Sequence, residues 1–226
     1  MELGKLVHVA GLIGEPARIK MLWVLLDGKA YTATELALFA EVSPQSASAH
    51  LGKMVQANLL KVSSQGRHRY FSYSRDEVAY AVEAIANLIP LQKQPIIPVT
   101  RDMPFKYCRT CYDHIAGKTG VAITDKLLNL EYLIEKDQAY NLTVKGQLFF
   151  EDFGIDTGVL LKQKRPFARP CLDWSERRPH LAGSLGTAIL KKIIAEDWMR
   201  KIENTRALAI TSKGQLGLYD ALGIGV

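Results

Sequence analysis

The stretch Leu36–Ser74, LALFAEVSPQSASAHLGKMVQANLLKVSSQGRHRYFSYS, decides how the first part of this chain folds. Immediately upstream, Thr32-x-x-Glu35 has the pattern of a capping box and opens a short helix running to Phe39. Glu41-Val42 reads as a tight turn. Ser43 supplies a cap and Pro44 occupies the first helical position, so a second helix starts there and runs to about Asn58. That helix opens with small polar residues, while Leu51, Met54, Val55, Leu59 and Leu60 fall on the inward face. Two alternating runs, Leu60–Ser63 and Tyr70–Tyr73, flank Gln65-Gly66 and predict a hairpin.

Helix, turn, helix and hairpin in this order suit a DNA reader. Small side chains at the start of the second helix let its backbone approach a duplex closely, and Gln or Ser can bond base edges or phosphates. The tip Gln65-Gly66-Arg67-His68-Arg69 puts two permanent cations beside a glycine, as a wing reaching phosphates or the minor groove requires. The expected DNA-contacting set is Gln45, Ser46, Ser48, Ala49, His50, Lys53, Arg67, His68 and Arg69. A plain helical core with a charged hairpin is the competing reading, but it does not account for the joint pattern.

Further helices flank this segment. One spans Gly4–Ile13, and another starts at Pro16 with Ile19, Leu22, Trp23 and Leu26 at helical spacing. Ser74-x-x-Glu77 reads as a second capping box, followed by the apolar stripe Val78, Val82, Ile85 and Leu88. Over roughly residues 5–90 the sequence resembles the ArsR/SmtB family of winged-helix bacterial repressors. The resemblance implies that the second helix of the motif reads the major groove of double-stranded operator DNA. It also implies that the first and last helices, about 4–13 and 74–89, build a homodimer. The stripes Leu6, Val9, Ala10, Ile13 and Val78, Val82, Ile85, Leu88 agree, being too apolar for a monomer surface. Two departures matter. The segment Glu35–Phe39 has no thiol, and no histidine lies between His68 and His114, so the metal sites familiar in that family are missing.

The 226-residue chain is ordinary in composition, 48% hydrophobic and 23% charged, which excludes disordered and collagen-like classes. Its net charge of +6 favours anionic partners. Three cysteines make no disulfide framework, and neither a membrane-length apolar run nor a secretory leader is visible. A cytoplasmic protein without membrane contact is expected. Pro90–Pro104, PLQKQPIIPVTRDMP, carries four prolines and reads as extended. The expected organisation is therefore a DNA-binding and dimerisation domain over 1–90, a Pro-rich linker over 91–106, and a C-terminal domain over 107–226 that acts as the sensor.

The C-terminal part is internally duplicated, at about 107–156 and 170–226. A shift of 66 residues lays His114-Ile-Ala-Gly117-Lys-Thr-Gly120 on His180-Leu-Ala-Gly183-Ser-Leu-Gly186. Downstream, with a two-residue gap, Thr143-Val-Lys-Gly-Gln-Leu148 falls on Thr211-Ser-Lys-Gly-Gln-Leu216. Each copy reads as a helix, a short hairpin and a Thr-capped helix, by analogy a winged-helix-like unit. The expected fold class is mainly α with small β-hairpins (α+β). Phrases such as Cys111-Tyr-Asp-His114 and Arg169-Pro-Cys-Leu-Asp-Trp-Ser-Glu-Arg-Arg178 resemble a longer ArsR-like subgroup with an appended C-terminal region.

Two clusters here carry candidate chemistry. Cys108, Cys111 and Cys171 each precede a duplicated helix beginning with His114 or His180. Such a set suits a thiophilic ion (zinc, cadmium or lead) or a redox role, with small buried hydrophobes as the equal alternative. The cysteines can meet only if the two copies pack side by side. Asp173, Trp174, Arg177 and Arg178 suit an effector pocket for an anion or aromatic acid, or else a salt-bridged lid. No enzyme motif is present, so catalysis is not expected. The sequence points to a homodimeric DNA-binding regulator, a repressor relieved by a metal, redox or small-molecule signal. The alternative is a winged-helix scaffold for protein or RNA.

Overall fold

A computed structural model describes residues 2–66, 68–89, 104–203 and 205–225. The chain divides into two compact units, Met1–Ile89 and Pro90–Val226. The expected linker lies outside the described residues as far as 103. Its last three residues are instead helical, in α6 described below, where Pro104 takes the first position. No described helix is long and apolar enough to cross a membrane.

The first unit runs α1 (Leu3–Ile13), α2 (Pro16–Val24), a 3-10 turn (Leu25–Asp27), β1 (Tyr31–Thr32), α3 (Ala33–Ala40), α4 (Pro44–Gln56), β2 (Leu60–Gln65), β3 (His68–Tyr73) and α5 (Asp76–Asn87). Its core is Met21, Leu22, Leu25, Leu26, Leu36, Leu51, Met54 and Leu60, all fully buried. The Thr32–Glu35 capping box is present with both of its bonds, so α3 starts where the sequence sets it. Glu41 at φ +59 turns the chain, and the Ser43 hydroxyl accepts from the Ser46 N–H at 3.2 Å to open α4. The strands form an antiparallel sheet in the order β1-β3-β2. This is a helix-turn-helix followed by a β-wing.

The second capping box is a correction. α5 begins at Asp76, with Arg75 as a cap lacking a side-chain bond. The Ser74 hydroxyl donates instead to the Asn58 carbonyl at 2.6 Å, and Arg75 Nη1 donates to the same oxygen at 3.1 Å. Asn58, at φ +55, ends the α4 turn and leaves that carbonyl without a helical partner. Ser74 ties it to the foot of the wing.

The second unit opens with α6 (Pro104–Tyr107) and then repeats one pattern twice. The first copy is β4 (Arg109–Cys111), β5 (His114–Ala116), α7 (Gly117–Asn129), β6 (Leu133–Lys136), β7 (Ala139–Leu142) and α8 (Val144–Asp152). After α9 (Thr157–Leu161), the second copy is β8 (Arg169–Leu172), β9 (Pro179–Ala182), α10 (Ser184–Ala195), β10 (Met199–Lys201), β11 (Leu208–Ile210) and α11 (Ser212–Leu222). The expected helix, hairpin and capped helix are in place, and each copy opens with a further hairpin that the sequence does not signal. Thr143 and Thr211 each accept from the glycine N–H three residues on, at 2.9 Å. Those glycines repeat for a steric reason: a Cβ on Gly146 or Gly214 would collide with the Tyr132 or Trp198 carbonyl.

The copies clasp reciprocally. Cys108 C=O accepts from Leu208 N–H at 2.9 Å, and Ala168 C=O accepts from Tyr140 N–H at 3.2 Å. The strand registers Cys111↔His114 and Cys171↔His180 place equivalent residues at equivalent points of β4-β5 and β8-β9. The second hairpin differs by its longer loop, 173–178. Between the copies lies one core that includes Ile123, Leu127, Phe150, Ile189, Ile193 and Leu218.

Candidate functional site

In the first unit, one face of α4 is bare. Gln45, Ser48, Ala49, Gly52, Lys53 and Gln56 are all exposed at spacings of three and four, while Ala47, Leu51 and Met54 are buried behind them. Outside the helix's own backbone, no atom lies within 4 Å of where a Gly52 Cβ would sit, so the face is open at that point. Ser46 is half-buried and its N–H closes the cap.

His50 stands apart from this face. Its Nδ1 lies 3.2 Å from Arg18 Nη1 and 3.3 Å from Glu15 Oε2, which holds it to the α1–α2 corner. Arg18 is buried and donates through Nε to Leu12 C=O at 2.6 Å and through Nη2 to Gly11 C=O at 3.1 Å. A guanidinium at the last carbonyls of α1 satisfies groups a helix end otherwise leaves open. Burial works against the Glu15 carboxylate, but N–H bonds from Arg18 and Ala17 and the charges of His50 and Arg18 hold its pKa below the ordinary range. His50 thus braces α4 against α1 and α2, a role the sequence reading did not assign.

The wing is tight. Gln65 pairs with His68, leaving two residues at the tip, and Gly66 takes φ +58, a region glycine occupies without strain. His68 and Arg69 are exposed, and the Arg69 guanidinium sits 5.7 Å from the Phe71 ring centre. Arg67 lies outside the described residues.

In the second unit, the hairpins bring four donors together. One atom from each of Cys111, His114, Cys171 and His180 lies within 4.8 Å of all the others. The histidines are buried, with Nε2 atoms 3.1 Å apart and ring centres 5.0 Å apart. Each Nδ1 faces an aspartate of its own hairpin: Asp113 Oδ1 at 3.4 Å for His114, Asp173 Oδ2 at 3.1 Å for His180. Burial lowers the affinity of His180 for a proton, but Asp173 and Cys111 outweigh it and the pKa is raised. Asp113 is bound by Arg165 at 2.7 Å; burial opposes its charge, yet bonds from Arg165, Thr187 and His114 bring its pKa down to about 2.

Cys108 is a correction. None of the three cysteines is in a disulfide, and Cys108 is fully buried with Sγ 3.7 Å from Met199 Sδ. Burial pushes its thiol up to about 12. The equivalent position in the second copy is Ala168, so this is a packing site, and the Cys108-x-x-Cys111 spacing does not describe one centre.

The expected effector pocket also resolves differently. Asp173 accepts from Arg109 Nη2 at 3.0 Å with both oxygens, from Gly117 N–H at 2.7 Å, and from the Ser175 hydroxyl at 2.7 Å. Burial opposes the Asp173 charge, but His180, Arg109 and Ser175 keep its pKa far below the carboxylate range. Trp174 is buried, with the Arg109 guanidinium 4.8 Å from its ring. Arg177 takes φ +56 in the loop, and Arg178 pairs with Asp125 at 2.7 Å. Asp173 and Trp174 are engaged within the protein and do not present themselves to a ligand. Arg109, at the heart of this network, is not among the site residues the sequence suggests. Its signal was there: Arg109-Thr-Cys111 repeats as Arg169-Pro-Cys171.

No family model matches the chain. Among solved structures it is similar to HlyU from Vibrio cholerae N16961, at 24% identity over 39% of this chain and 97% of that one, with a TM-score of 0.36. It is also similar to the homodimeric winged helix-turn-helix DNA-binding domain of Mb0332 from Mycobacterium bovis, a possible ArsR-family regulator, at 19% identity over 38% and 79% of the two chains, with a TM-score of 0.35. A full-length relative is more informative: an uncharacterized HTH-type transcriptional regulator, YdfF of Bacillus subtilis (strain 168), is 35% identical over 222 residues, 98% of each chain. With the exposed α4 face and its wing, that likeness places the chain in the family of HTH-type transcriptional regulators.

Proposed function

We propose that the chain is a homodimeric repressor that reads an inverted repeat of operator DNA through α4 and the wing and answers a signal received in its second unit. The observation that carries the DNA reading is the exposed row Gln45, Ser48, Ala49, Gly52, Lys53, Gln56 beside the cation-bearing hairpin. A side-chain row of this length, free of bulk, fits a major groove, and Arg69 supplies a phosphate contact.

Dimerisation is supported by apolar residues that one chain leaves in water. Leu3 and Val7 on α1 are 70% and 63% exposed, and Leu88 beyond α5 is 81% exposed. Burying such side chains against a two-fold mate is favourable by about 25 cal/mol per Å². The repressor role extends the ArsR/SmtB resemblance of residues 5–90.

Footprinting on the promoter region of the chain's own operon tests this. Two protected half-sites, related by a two-fold and spaced about one helical turn or a multiple of it, are expected. Protection without two-fold symmetry, or none, contradicts the proposal.

A further inference from the structure

We propose that Cys111, His114, Cys171 and His180 form a closed tetrahedral zinc site that joins the two copies of the C-terminal repeat. The proposal gives the sensory unit a ligand class, a thiophilic divalent cation. Its test is metal binding itself, so its failure and the failure of the DNA reading are distinguishable.

The donor set comes first. Two thiols and two imidazoles are the ligand types of a structural zinc centre, which takes four protein ligands and leaves no position open. Zinc–nitrogen and zinc–sulfur bonds of about 2.05 and 2.3 Å give tetrahedral edges of about 3.3 Å between nitrogens and about 3.8 Å between sulfurs. The two Nε2 atoms already stand 3.1 Å apart, and all four donors fall within 4.8 Å. Small rotations of the side chains suffice to close the tetrahedron.

The surroundings are built for it. An imidazole ligand is held by a partner at its other ring nitrogen, which fixes the tautomer and presents the bare nitrogen to the metal. An aspartate carboxylate stands beside Nδ1 of each histidine, hydrogen-bonded at His114 and 3.1 Å away but out of hydrogen-bond alignment at His180, and both present Nε2 inward. The two copies pack closely at both histidines. A Cβ on Gly186 would stand 3.2 Å from His114 Cβ, and one on Gly120 would stand 3.5 Å from His180 Cβ. Each helix therefore closes over the histidine of the other copy, and each hairpin contributes one cysteine and one histidine from directly paired positions. A pseudo-twofold pair of Cys–His hairpins gives a two-sulfur, two-nitrogen set as a direct consequence of duplication.

The test uses the full chain, purified without chelator. About one zinc per chain is expected by elemental analysis, retained in Cys108→Ser and lost in Cys111→Ser/Cys171→Ser. Asp113→Asn is expected to weaken zinc binding about 10–100-fold, the cost of removing a partner from a ligating histidine. Cobalt(II) titrated into the metal-free wild-type chain gives a readout independent of how the double variant folds. Intense visible bands of a tetrahedral ion with thiolate charge-transfer absorption are expected. Three results overturn the proposal: no stoichiometric zinc or cobalt, weak octahedral cobalt bands, or a Cys111–Cys171 disulfide that persists under reducing conditions and excludes metal.

Discussion

His114 and His180, 66 residues apart in sequence, meet with Nε2 atoms 3.1 Å from each other at the seam of the duplicated unit. Neither copy alone holds its histidine in this setting, since each Nε2 faces the other and Gly120 and Gly186 pack beside the histidine of the other copy. The repeat is therefore a mutual construction, and the polar groups behind the histidines stabilise both halves at once.

Arg109→Ala leaves the buried Asp173 carboxylate facing Gly117, Ser175 and His180 without its guanidinium. Breaking one side of a buried pair costs about 3–5 kcal/mol. Urea unfolding followed by far-ultraviolet circular dichroism is expected to show a loss of stability on this scale. A loss below about 1 kcal/mol would show that the pair is not the buried strut described.

Gly146→Ala and Gly214→Ala push a methyl group into a backbone carbonyl that side-chain rotation cannot relieve. Each is expected to destabilise by about 1–3 kcal/mol, and the two effects should match because the sites are equivalent. Thermal melts of the two variants check both the size and the equality.

Gly52→Ala should separate fold from recognition. An exposed mid-helix glycine costs about 0.8–1.0 kcal/mol relative to alanine, and the site has open space, so the variant should melt higher. The same methyl group projects from the face proposed to enter the groove and should lower operator affinity. A variant with both higher melting temperature and unchanged affinity would remove α4 from the interface.

Gln45→Ala and Ser48→Ala are expected to erode discrimination between operator and altered sites by about 1–3 kcal/mol per lost base contact. Arg69→Ala should weaken every duplex alike and reduce the slope of log affinity against log salt by about 1. Competition titrations at several salt concentrations distinguish the two patterns.

Leu88→Glu changes a residue that is 81% exposed in the single chain, so the fold should tolerate it. In a two-fold interface it would bury an unpaired charge. Sedimentation velocity is expected to show a dimer for the parent and a monomer for the variant, with equal sizes arguing against this face.

What was legible in the sequence was local. The Thr32–Glu35 box and the Ser43-Pro44 start specify helix ends by bonds within four residues, and both stand in the structure. The two-residue strand β1 was not legible, because Tyr31 is extended only through its pairing with Phe71, forty residues on. The hairpins β4-β5 and β8-β9 escaped for a related reason. The first is three residues per strand and turns at Tyr112, φ +59, without the glycine that usually marks such a turn. Its support comes from the other copy, through Thr110 N–H donating to Arg206 C=O at 2.9 Å. Without those hairpins, Cys108 and Cys111 looked like a pair. Cys108 falls in the bend between α6 and β4 and enters the core, whereas Cys111 lies on β4 and pairs with His114.

The central claim is that the bare face of α4 reads sequence. Fluorescence anisotropy at fixed salt, comparing the footprinted site with a scrambled duplex of equal length, measures it directly. An affinity ratio of about 10³ or more in favour of the native site is the expected result; equal affinity for the two duplexes would contradict it.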